Sequence, residues 1–266
     1  MLKTIPYDDA VISYRTEGNG HAVVLLHGFG EDSRIWDQQI GFLSPHCRLL
    51  APDLPGSGRS SFWEAGNNAG IDGYAAILHS VLQQENIRRC TMLGHSMGGY
   101  IMLAFAEKFP ELLDAIGLIN STAFADSEEK KQTRARAIET IGDYGAAAFL
   151  KTTIPTLFAT EFREKYPEKV AALVAAGSSF EARALQQYYR AMMGRPDRTG
   201  ILKSNPLPTL FVMGTEDTPA PMNDVLKQTH LPDKSYIHVL QGVGHMSMWE
   251  APDALNNILL DFINQS

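Results

Sequence analysis

The chain has 266 residues, of which 44% are hydrophobic and 20% charged, with 22 glycines and 14 prolines; this is globular composition and excludes a disordered or collagen-like chain. The formal net charge is −7 at pH 7, and no Lys/Arg cluster exceeds the pair Lys130-Lys131, so we expect no nucleic-acid partner. The acidic N-terminus does not fit a secretory signal, and no apolar run approaches the roughly 18 residues of a spanning helix, so we expect a cytoplasmic protein without a membrane span.

Strand and helix patterns alternate along residues 1–120. Two strands closed by turn residues are predicted at 4–9 and 10–18, and a continuously apolar, central strand at 21–28. There follow a helix at 33–43, a strand at 47–53, a helix at 72–86, a strand at 90–95, a helix at 98–109 and a strand at 113–120. Such alternation predicts a mostly parallel sheet with helices on both faces.

The segment 121–204 breaks this alternation because it contains no convincing strand. Its apolar positions recur at spacings of three and four and are interrupted by glycines and prolines, which predicts three to five short helices. Strand patterns resume at 207–214 and 235–242, and a last helix is predicted at 251–265. We therefore expect a core domain built from residues 1–120 and 205–266, with 121–204 inserted as a helical cap over the sheet's edge.

The stretch Gly94-His95-Ser96-Met97-Gly98 matches G-x-S-x-G, the nucleophile elbow, between a predicted strand and a predicted helix. The turn in this motif is so tight that the positions two residues either side of the serine leave little room for a Cβ atom. The strain lifts the serine hydroxyl clear of the sheet, at a helix N-terminus that favours developing negative charge. The motif with this context makes Ser96 the predicted nucleophile.

A serine nucleophile needs a base within hydrogen-bond reach and an acid that orients the base, in the chain order Ser, acid, His. His245 lies in a glycine loop past the last strand, at the carboxyl edge where open α/β sheets bind ligands, and is the predicted base. His230 and His238 are predicted to be surface or structural residues. The acid is Asp217 or Glu216, which both follow an apolar strand.

Acyl transfer also needs hydrogen-bond donors for the oxyanion. The segment LLHGFGED places a glycine turn directly after a central strand, where the backbone N–H of Phe29 can pair with that of Met97. We expect His27 to bond the loop and His95 to pack beside the elbow, so neither is a candidate base. Asp53, in a turn with Pro and Gly, is also predicted to be structural.

The segments LLHGFG, PDLPGSGRS, GHSMGG, MGTEDTPAP and GVGHMSMWEAP resemble, in order and separation, the α/β-hydrolase superfamily, and specifically its cap-bearing carboxylesterase, haloperoxidase-like and C–C hydrolase branch. The resemblance implies Ser96 as nucleophile, Asp217 as acid and His245 as base, with the amides of Phe29 and Met97 as oxyanion hole. It also implies an eight-stranded sheet with one antiparallel edge strand, and a cap after the sixth strand. A serine at the elbow argues against haloalkane dehalogenase and epoxide hydrolase activity, which use aspartate.

The predicted activity is hydrolysis of a small, largely apolar carboxylic ester or thioester through an acyl-enzyme, with no metal or organic cofactor. A C–C bond hydrolase or lyase acting on a diketone-like metabolite, and a small-molecule receptor built on the same pocket, stay open as alternatives. Phe29, Met246 and Trp249 are the predicted apolar contacts of the substrate. We expect Arg195 to close the cap through a salt bridge rather than to bind a substrate carboxylate. Nothing in the sequence indicates the oligomeric state.

Cys47 and Cys90 are the only cysteines, and they lack the C-x-x-C spacing of redox and zinc sites. In the family's sheet order their strands are separated by the strand ending at His27, which puts them roughly two spacings of about 4.8 Å apart. A disulfide between them is therefore not expected.

Overall fold

One eight-stranded sheet organises the computed structural model, which describes residues 1–66 and 70–265. Its strands are β1 (Leu2–Tyr7), β2 (Ala10–Glu17), β3 (Ala22–Leu26), β4 (Arg48–Pro52), β5 (Cys90–His95), β6 (Leu113–Ile119), β7 (Thr209–Gly214) and β8 (Ser235–Leu240). They lie in the order β1-β2-β4-β3-β5-β6-β7-β8, and every adjacent pair from β4 to β8 is parallel. The predicted mostly parallel sheet of eight strands is confirmed.

The single antiparallel strand is β2, which pairs in that sense with both β1 and β4. The expectation of an antiparallel strand at the edge is therefore wrong by one position. The cause is the tight turn at Asp8 and Asp9, with Asp8 at a φ of 49°, because it folds β1 back along β2. β1 takes the edge and runs in the same direction as the parallel strands.

The α-helices among the described residues are α1 (Asp37–Leu43), α2 (Ile71–Gln84), α3 (Met97–Lys108), α4 (Glu128–Thr153), α5 (Thr160–Lys165), α6 (Pro167–Ala176), α7 (Ala182–Gly194), α8 (Thr199–Ser204), α9 (Met222–Leu226), α10 (Ser247–Glu250) and α11 (Pro252–Gln265). In the core, α2 packs against α3 and α1 against α11. None of the described helices is both long enough and apolar enough to cross a membrane.

The central strands carry the core. Every residue of β3, β5 and β7 is buried, as expected for parallel strands that are covered on both faces. β3 lies between β4 and β5, so it separates the two chain segments at Cys47 and Cys90, which are both buried and free. The carboxyl ends of β3, β5, β6, β7 and β8 consequently meet at one edge of the sheet.

The helices α4 to α8 all lie between β6 and β7, and no described residue between these two strands is in a strand. α4 is interrupted at Gly145, whose φ of 81° and ψ of 163° are not helical. α4 packs along α7, and α7 also contacts α2 of the core. Residues of this helical insertion line the same cavity as Ser96 and His245.

Candidate active site

Ser96 occupies the turn between β5 and α3 with a φ of 51° and a ψ of −116°, a conformation that is strained for any residue other than glycine. Its N–H donates to Ile119 O at 3.1 Å, and its C=O accepts from Gly99 N–H at 3.0 Å and from Ser121 Oγ at 2.7 Å. Of residues 90–100, Ser96 alone is half-buried, and the others are buried. The turn therefore presents this side chain at the surface of an otherwise closed region.

The glycines around Ser96 are required by backbone contacts. A Cβ atom on Gly94 would lie 2.4 Å from the carbonyl of Gly98, and one on Gly98 would lie 2.6 Å from Leu26 O. A Cβ on Gly28 would lie 3.0 Å from the Cβ of Ser96 itself. These distances match the steric argument drawn from the motif, since atoms with no freedom to move occupy the space.

Asp217 and His245 are hydrogen-bonded, with His245 Nδ1 at 2.9 Å and 3.0 Å from the two carboxylate oxygens. Both side chains are buried, whereas neighbouring Glu216 is exposed. Asp217 also accepts the N–H of Ala220 at 2.8 Å. Of the two carboxylates that the sequence left open, the one that faces the histidine is thus Asp217.

Asn120 is a further site residue, which the sequence reasoning missed. Its Nδ2 donates to Asp217 Oδ2 at 2.9 Å and to Gly244 O at 3.1 Å, so it links the acid to the histidine loop. It sits at the end of β6 with a φ of 47°. A polar residue directly after an apolar strand was the available signal.

Four other polar residues weighed from the sequence do not line the cavity that contains Ser96: His27, Asp53, His230 and His238. His27 Nε2 accepts the N–H of Leu54 at 2.9 Å, so it bonds the loop as expected. Asp53 accepts the N–H of Arg59 from its own turn region and the N–H of Ser33 from the segment after β3, both at 2.9 Å. His230 is exposed and His238 lies in β8, and neither lines the cavity that contains Ser96.

A cavity of about 610 Å³ contains both Ser96 and His245. Phe29 and Glu31 line it from the loop after β3, and most other lining residues belong to the helical insertion. Its apolar lining includes Ala137, Phe149, Leu150, Ile154, Leu157 and Met192. In the described part of the chain, no three His, Cys, Asp or Glu side chains are grouped so that they could hold a metal ion.

Phe29 faces this cavity, and its ring stacks on that of Tyr189 with centroids 4.1 Å apart and an interplanar angle of 19°. The backbone N–H groups of Phe29 and Met97 donate to no acceptor within residues 1–66 and 70–265. Met97 is the first residue of α3, where N–H groups have no partner inside the helix. Two uncommitted donors are thus present beside Ser96.

Met246 and Trp249, the other predicted substrate contacts, do not line the cavity. Met246 is fully buried in the hydrophobic core, as are Met248 and Met97. Trp249 lines a separate crevice of about 220 Å³. The physical reason is that the chain turns into α10 directly after His245, which points the methionines inward. The apolar lining comes instead from the insertion.

The loop that carries His245 is fixed to the insertion. His245 N–H donates to Leu157 O at 2.7 Å, and the Glu250 carboxylate accepts the N–H groups of Gly244, Ala159 and Met246 at 2.9 to 3.0 Å. Burial raises the pKa of Glu250, against the effect of these three donors, and the charge of Asp217 adds to the increase. One side chain therefore holds the His245 loop to the insertion at Ala159.

A buried ion pair lies beneath the elbow. His95 Nδ1 is 3.0 Å from Glu31 Oε2, and His95 Nε2 is 3.0 Å from His245 O. The same Glu31 oxygen accepts Gly28 N–H at 2.8 Å. Burial alone would lower the pKa of His95, but the Glu31 carboxylate, the His245 carbonyl and the charge of Asp217 together outweigh it, and the pKa is raised. Burial likewise opposes ionisation of Glu31, yet His95 and Gly28 lower its pKa.

Comparison with known proteins identifies the family. The sequence model of the Alpha/beta hydrolase family matches residues 23–258, and the chain therefore belongs to this family. A thermophilic esterase from Thermogutta terrifontis, solved with malate bound, superposes with a TM-score of 0.93 at 25% identity, covering 100% of this chain and 98% of that one. The α/β-hydrolase fold is thus confirmed.

Curated relatives have several different names. A protein of Agrobacterium fabrum, named "Putative carbamate hydrolase RutD", is 27% identical and covers 94% of this chain and 95% of its own. A 2-hydroxy-6-oxo-6-phenylhexa-2,4-dienoate hydrolase of Comamonas testosteroni is 24% identical, with 97% of this chain and 92% of that protein covered. Uncharacterised proteins of Mycobacterium bovis and Mycobacterium tuberculosis are 34% identical over 109 residues, and this match spans 31% of their length.

Replacing Gly98 with alanine tests the steric requirement at the elbow. The new methyl group meets two main-chain oxygens, Leu26 O at 2.6 Å and His27 O at 2.8 Å, so we expect the free energy of unfolding to fall by roughly 1–3 kcal/mol, the usual effect of overpacking. Gly41→Ala is the matched control, because nothing lies within 4 Å of its added Cβ and alanine favours the helix α1. Chemical denaturation measures both, and equal effects would contradict the steric account.

Replacing Glu31 with glutamine tests the buried pair through the pH dependence of stability. A lowered pKa for Glu31 contributes stability above its unfolded value of about 4.3, and a raised pKa for His95 contributes stability below its unfolded value of about 6.5. The first contribution disappears as pH falls through the folded pKa of Glu31, and the second as pH rises through that of His95. We expect Glu31→Gln to lower the free energy of unfolding by roughly 1–3 kcal/mol, most strongly between those two values.

Urea denaturation of the wild type and of Glu31→Gln from pH 4 to 9 measures the difference between their free energies of unfolding. Glu216→Gln makes the same chemical change at an exposed position, and its effect should stay small and nearly constant with pH. A loss of stability in Glu31→Gln that does not vary with pH would show that the two side chains do not form an ion pair.

Proposed function

We propose that the protein hydrolyses a small carboxylic ester or thioester through an acyl-enzyme intermediate. The observation that carries the proposal is the position of Ser96, a strained and partly exposed residue in the same cavity as His245, whose Nδ1 is bonded to Asp217. Nucleophile, base and orienting acid are the three groups that serine catalysis needs. Membership of the Alpha/beta hydrolase family supports the same assignment.

In the first step, His245 Nε2 accepts the proton of Ser96 Oγ as this oxygen attacks the carbonyl carbon. Asp217 accepts a hydrogen bond from His245 Nδ1–H, which fixes the imidazole tautomer, and its negative charge stabilises the imidazolium. The oxyanion accepts hydrogen bonds from the uncommitted amides of Phe29 and Met97, and one such donor typically contributes about 10²–10³ in rate. His245 then protonates the leaving alcohol or thiol, and water repeats the sequence to release the acid.

The apolar side of the cavity favours a small hydrocarbon portion in the substrate. Phe149, Leu150, Ile154 and Leu157 supply this side, and all four belong to the segment 121–204, which we propose as the cap of the active site. The route needs no metal or organic cofactor. A cytoplasmic location stays a prediction from the sequence.

A second candidate is a C–C bond hydrolase acting on a diketone-like compound. The alignment with the dienoate hydrolase of Comamonas testosteroni, over 97% of this chain, favours it. The two activities can be separated by substrate: an esterase turns over short p-nitrophenyl esters and their thioester analogues rapidly, whereas a C–C hydrolase cleaves a dienol-type diketone rapidly and these esters slowly.

Replacing Ser96 with alanine tests the nucleophile. We expect kcat for p-nitrophenyl acetate and butyrate to fall by roughly 10⁴-fold or more, because no oxygen remains to form the acyl-enzyme. Labelling of the intact protein by a fluorophosphonate should be lost at the same time. Rates are measured by nitrophenolate absorbance, and labelling by intact mass.

Ser80→Ala serves as the control, since Ser80 lies on α2 and does not line the cavity. This variant should keep both turnover and labelling. If Ser96→Ala keeps either one, or if the wild type shows no labelling and no turnover of esters or of the dienol-type compound, the proposed hydrolase function is contradicted.

A further inference from the structure

One wall of the cavity is cationic and phenolic rather than apolar. Lys130 and Arg134 from α4, Tyr100 from α3 and Tyr189 from α7 all line the cavity that contains Ser96. The proposed roles of Ser96, Asp217 and His245 use none of these four side chains. Three of the four have donor groups without an acceptor among the described residues.

The guanidinium of Arg134 is hydrogen-bonded along one of its edges only. Its Nε lies 2.7 Å and its Nη2 3.4 Å from the two oxygens of Asp126, while its Nη1 has no acceptor among the described residues and is not sealed from solvent. Asp126 is shared, because Arg195 Nη1 also contacts it at 2.9 Å. The predicted salt bridge of Arg195 is therefore present, and two guanidinium groups face one carboxylate, which leaves a net positive charge.

Of the two arginines, Arg134 is the one that faces the cavity. Its side chain is 20% exposed, whereas that of Arg195 is 3% exposed. Arg195 instead lies over the ring of Tyr100, with its guanidinium carbon 3.8 Å from the centroid. Lys130 adds a second positive charge at the wall. Its Nζ donates to Pro219 O at 3.1 Å and has no carboxylate partner in the described structure.

Two phenol groups stand beside this charge. Tyr100 and Tyr189 are 6% and 7% exposed, and neither hydroxyl has a hydrogen-bond partner within the described residues. Burial raises the pKa of Tyr189 to about 12, so its hydroxyl keeps its proton at neutral pH. Neither oxygen is sealed from solvent, so each hydroxyl is free to donate a hydrogen bond to a molecule bound in the cavity.

The acidic residues of the cavity do not cancel the positive wall. Glu31 is paired with His95 below the elbow, and Asp126 is shared by two arginines. Glu129 lines the cavity but is exposed, where water screens its charge. The wall formed by Tyr100, Lys130, Arg134 and Tyr189 is therefore suited to an anion.

We propose that the substrate is an ester or thioester with a free carboxylate, which Arg134, Tyr100 and Tyr189 bind while the reacting carbonyl lies at Ser96. This inference rests on the proposed hydrolase function. Tyr100 is the fourth residue of α3, whose N-cap is Ser96, so the two lie about one turn apart, a rise of about 6 Å. Tyr189 stacks on Phe29. The carboxylate consequently lies only a few bonds from the reacting carbonyl, as in the half-ester of a short dicarboxylic acid.

Monoethyl glutarate and ethyl pentanoate test the subsite, because they differ only in a terminal carboxylate in place of a methyl group. We expect the wild type to have a higher kcat/KM for monoethyl glutarate, measured by pH-stat titration at pH 8. In Arg134→Met the ratio of the two kcat/KM values should fall about 10- to 100-fold, the usual effect of a charge-assisted hydrogen bond. In Tyr189→Phe the ratio should fall about 3- to 10-fold.

Arg136→Met is the matched control, because Arg136 lies on the same helix, is exposed and does not line the cavity. It removes the same charge and should leave the ratio unchanged. Tyr189→Phe removes an oxygen that has no hydrogen-bond partner within residues 1–66 and 70–265, so it keeps the packing and the ion pair between Arg134 and Asp126 intact. A ratio near that of the wild type in both Arg134→Met and Tyr189→Phe overturns the proposal.

Binding of glutarate to Ser96→Ala, followed by calorimetry, separates this proposal from the hydrolase function. Binding that weakens at least 10-fold on adding Arg134→Met, but not Arg136→Met, supports the subsite even if the wild type hydrolyses neither ester. Hydrolysis of ethyl pentanoate without glutarate binding and without preference for monoethyl glutarate overturns the subsite and leaves the hydrolase function standing.

Discussion

The close approach of backbone to backbone around Ser96 is the constraint on which the site depends. Gly94 and Gly98 meet across the turn, and Gly98 also meets the carbonyl oxygens at the end of β3. Because peptide groups cannot rotate out of the way as side chains do, the turn has one arrangement, and the strained φ of Ser96 is maintained by its surroundings. The parallel sheet then brings Phe29, Asp217 and His245 to the same edge, since each follows a strand that ends there.

A second set of interactions joins these loops beneath the surface of the cavity. Glu31 belongs to the loop after β3, His95 to the elbow and His245 to the loop after β8, and hydrogen bonds connect all three in sequence. Asn120 performs the equivalent linkage between Asp217 and Gly244. Buried polar side chains thus set the distances between loops that are not joined by sheet hydrogen bonds. Loss of one hydrogen-bond partner would be costly there, because a buried polar group without a partner is destabilising.

The sheet and the elbow could be predicted because their signals are local. Buried strands such as β3 and β7 are continuous apolar runs, and the glycine spacing around Ser96 has a steric cause that operates within five residues. The apolar pattern does not show which strand of the first hairpin lies at the edge of the sheet. It therefore could not predict that β1 takes the edge and that the antiparallel strand β2 is second. Met246 and Trp249 were expected at the cavity because apolar residues near a predicted base fit a pocket and a core equally well.

The supporting residues of the site could not be predicted for a different reason. Glu31 and His95 are 64 positions apart, and Glu250 bonds to Ala159 across 91 positions. Single polar residues at such separations have no pattern in one sequence, and only the packed chain shows which of them meet. The wall around Arg134 could not be predicted for the same reason, because its residues come from three separate helices. These are α3 of the core and α4 and α7 of the insertion.

The insertion is attached to the rest of the chain in two chemically different ways. At Leu157 the bond is made by main-chain atoms, because the carbonyl oxygen accepts the His245 N–H. At α7 the bonds are made by side chains, such as the Tyr188 hydroxyl, which donates to Pro55 O. Sequence change therefore affects the two attachments differently: the first can persist with any side chain at residue 157 that keeps the local backbone, whereas the second is lost when one side chain is replaced.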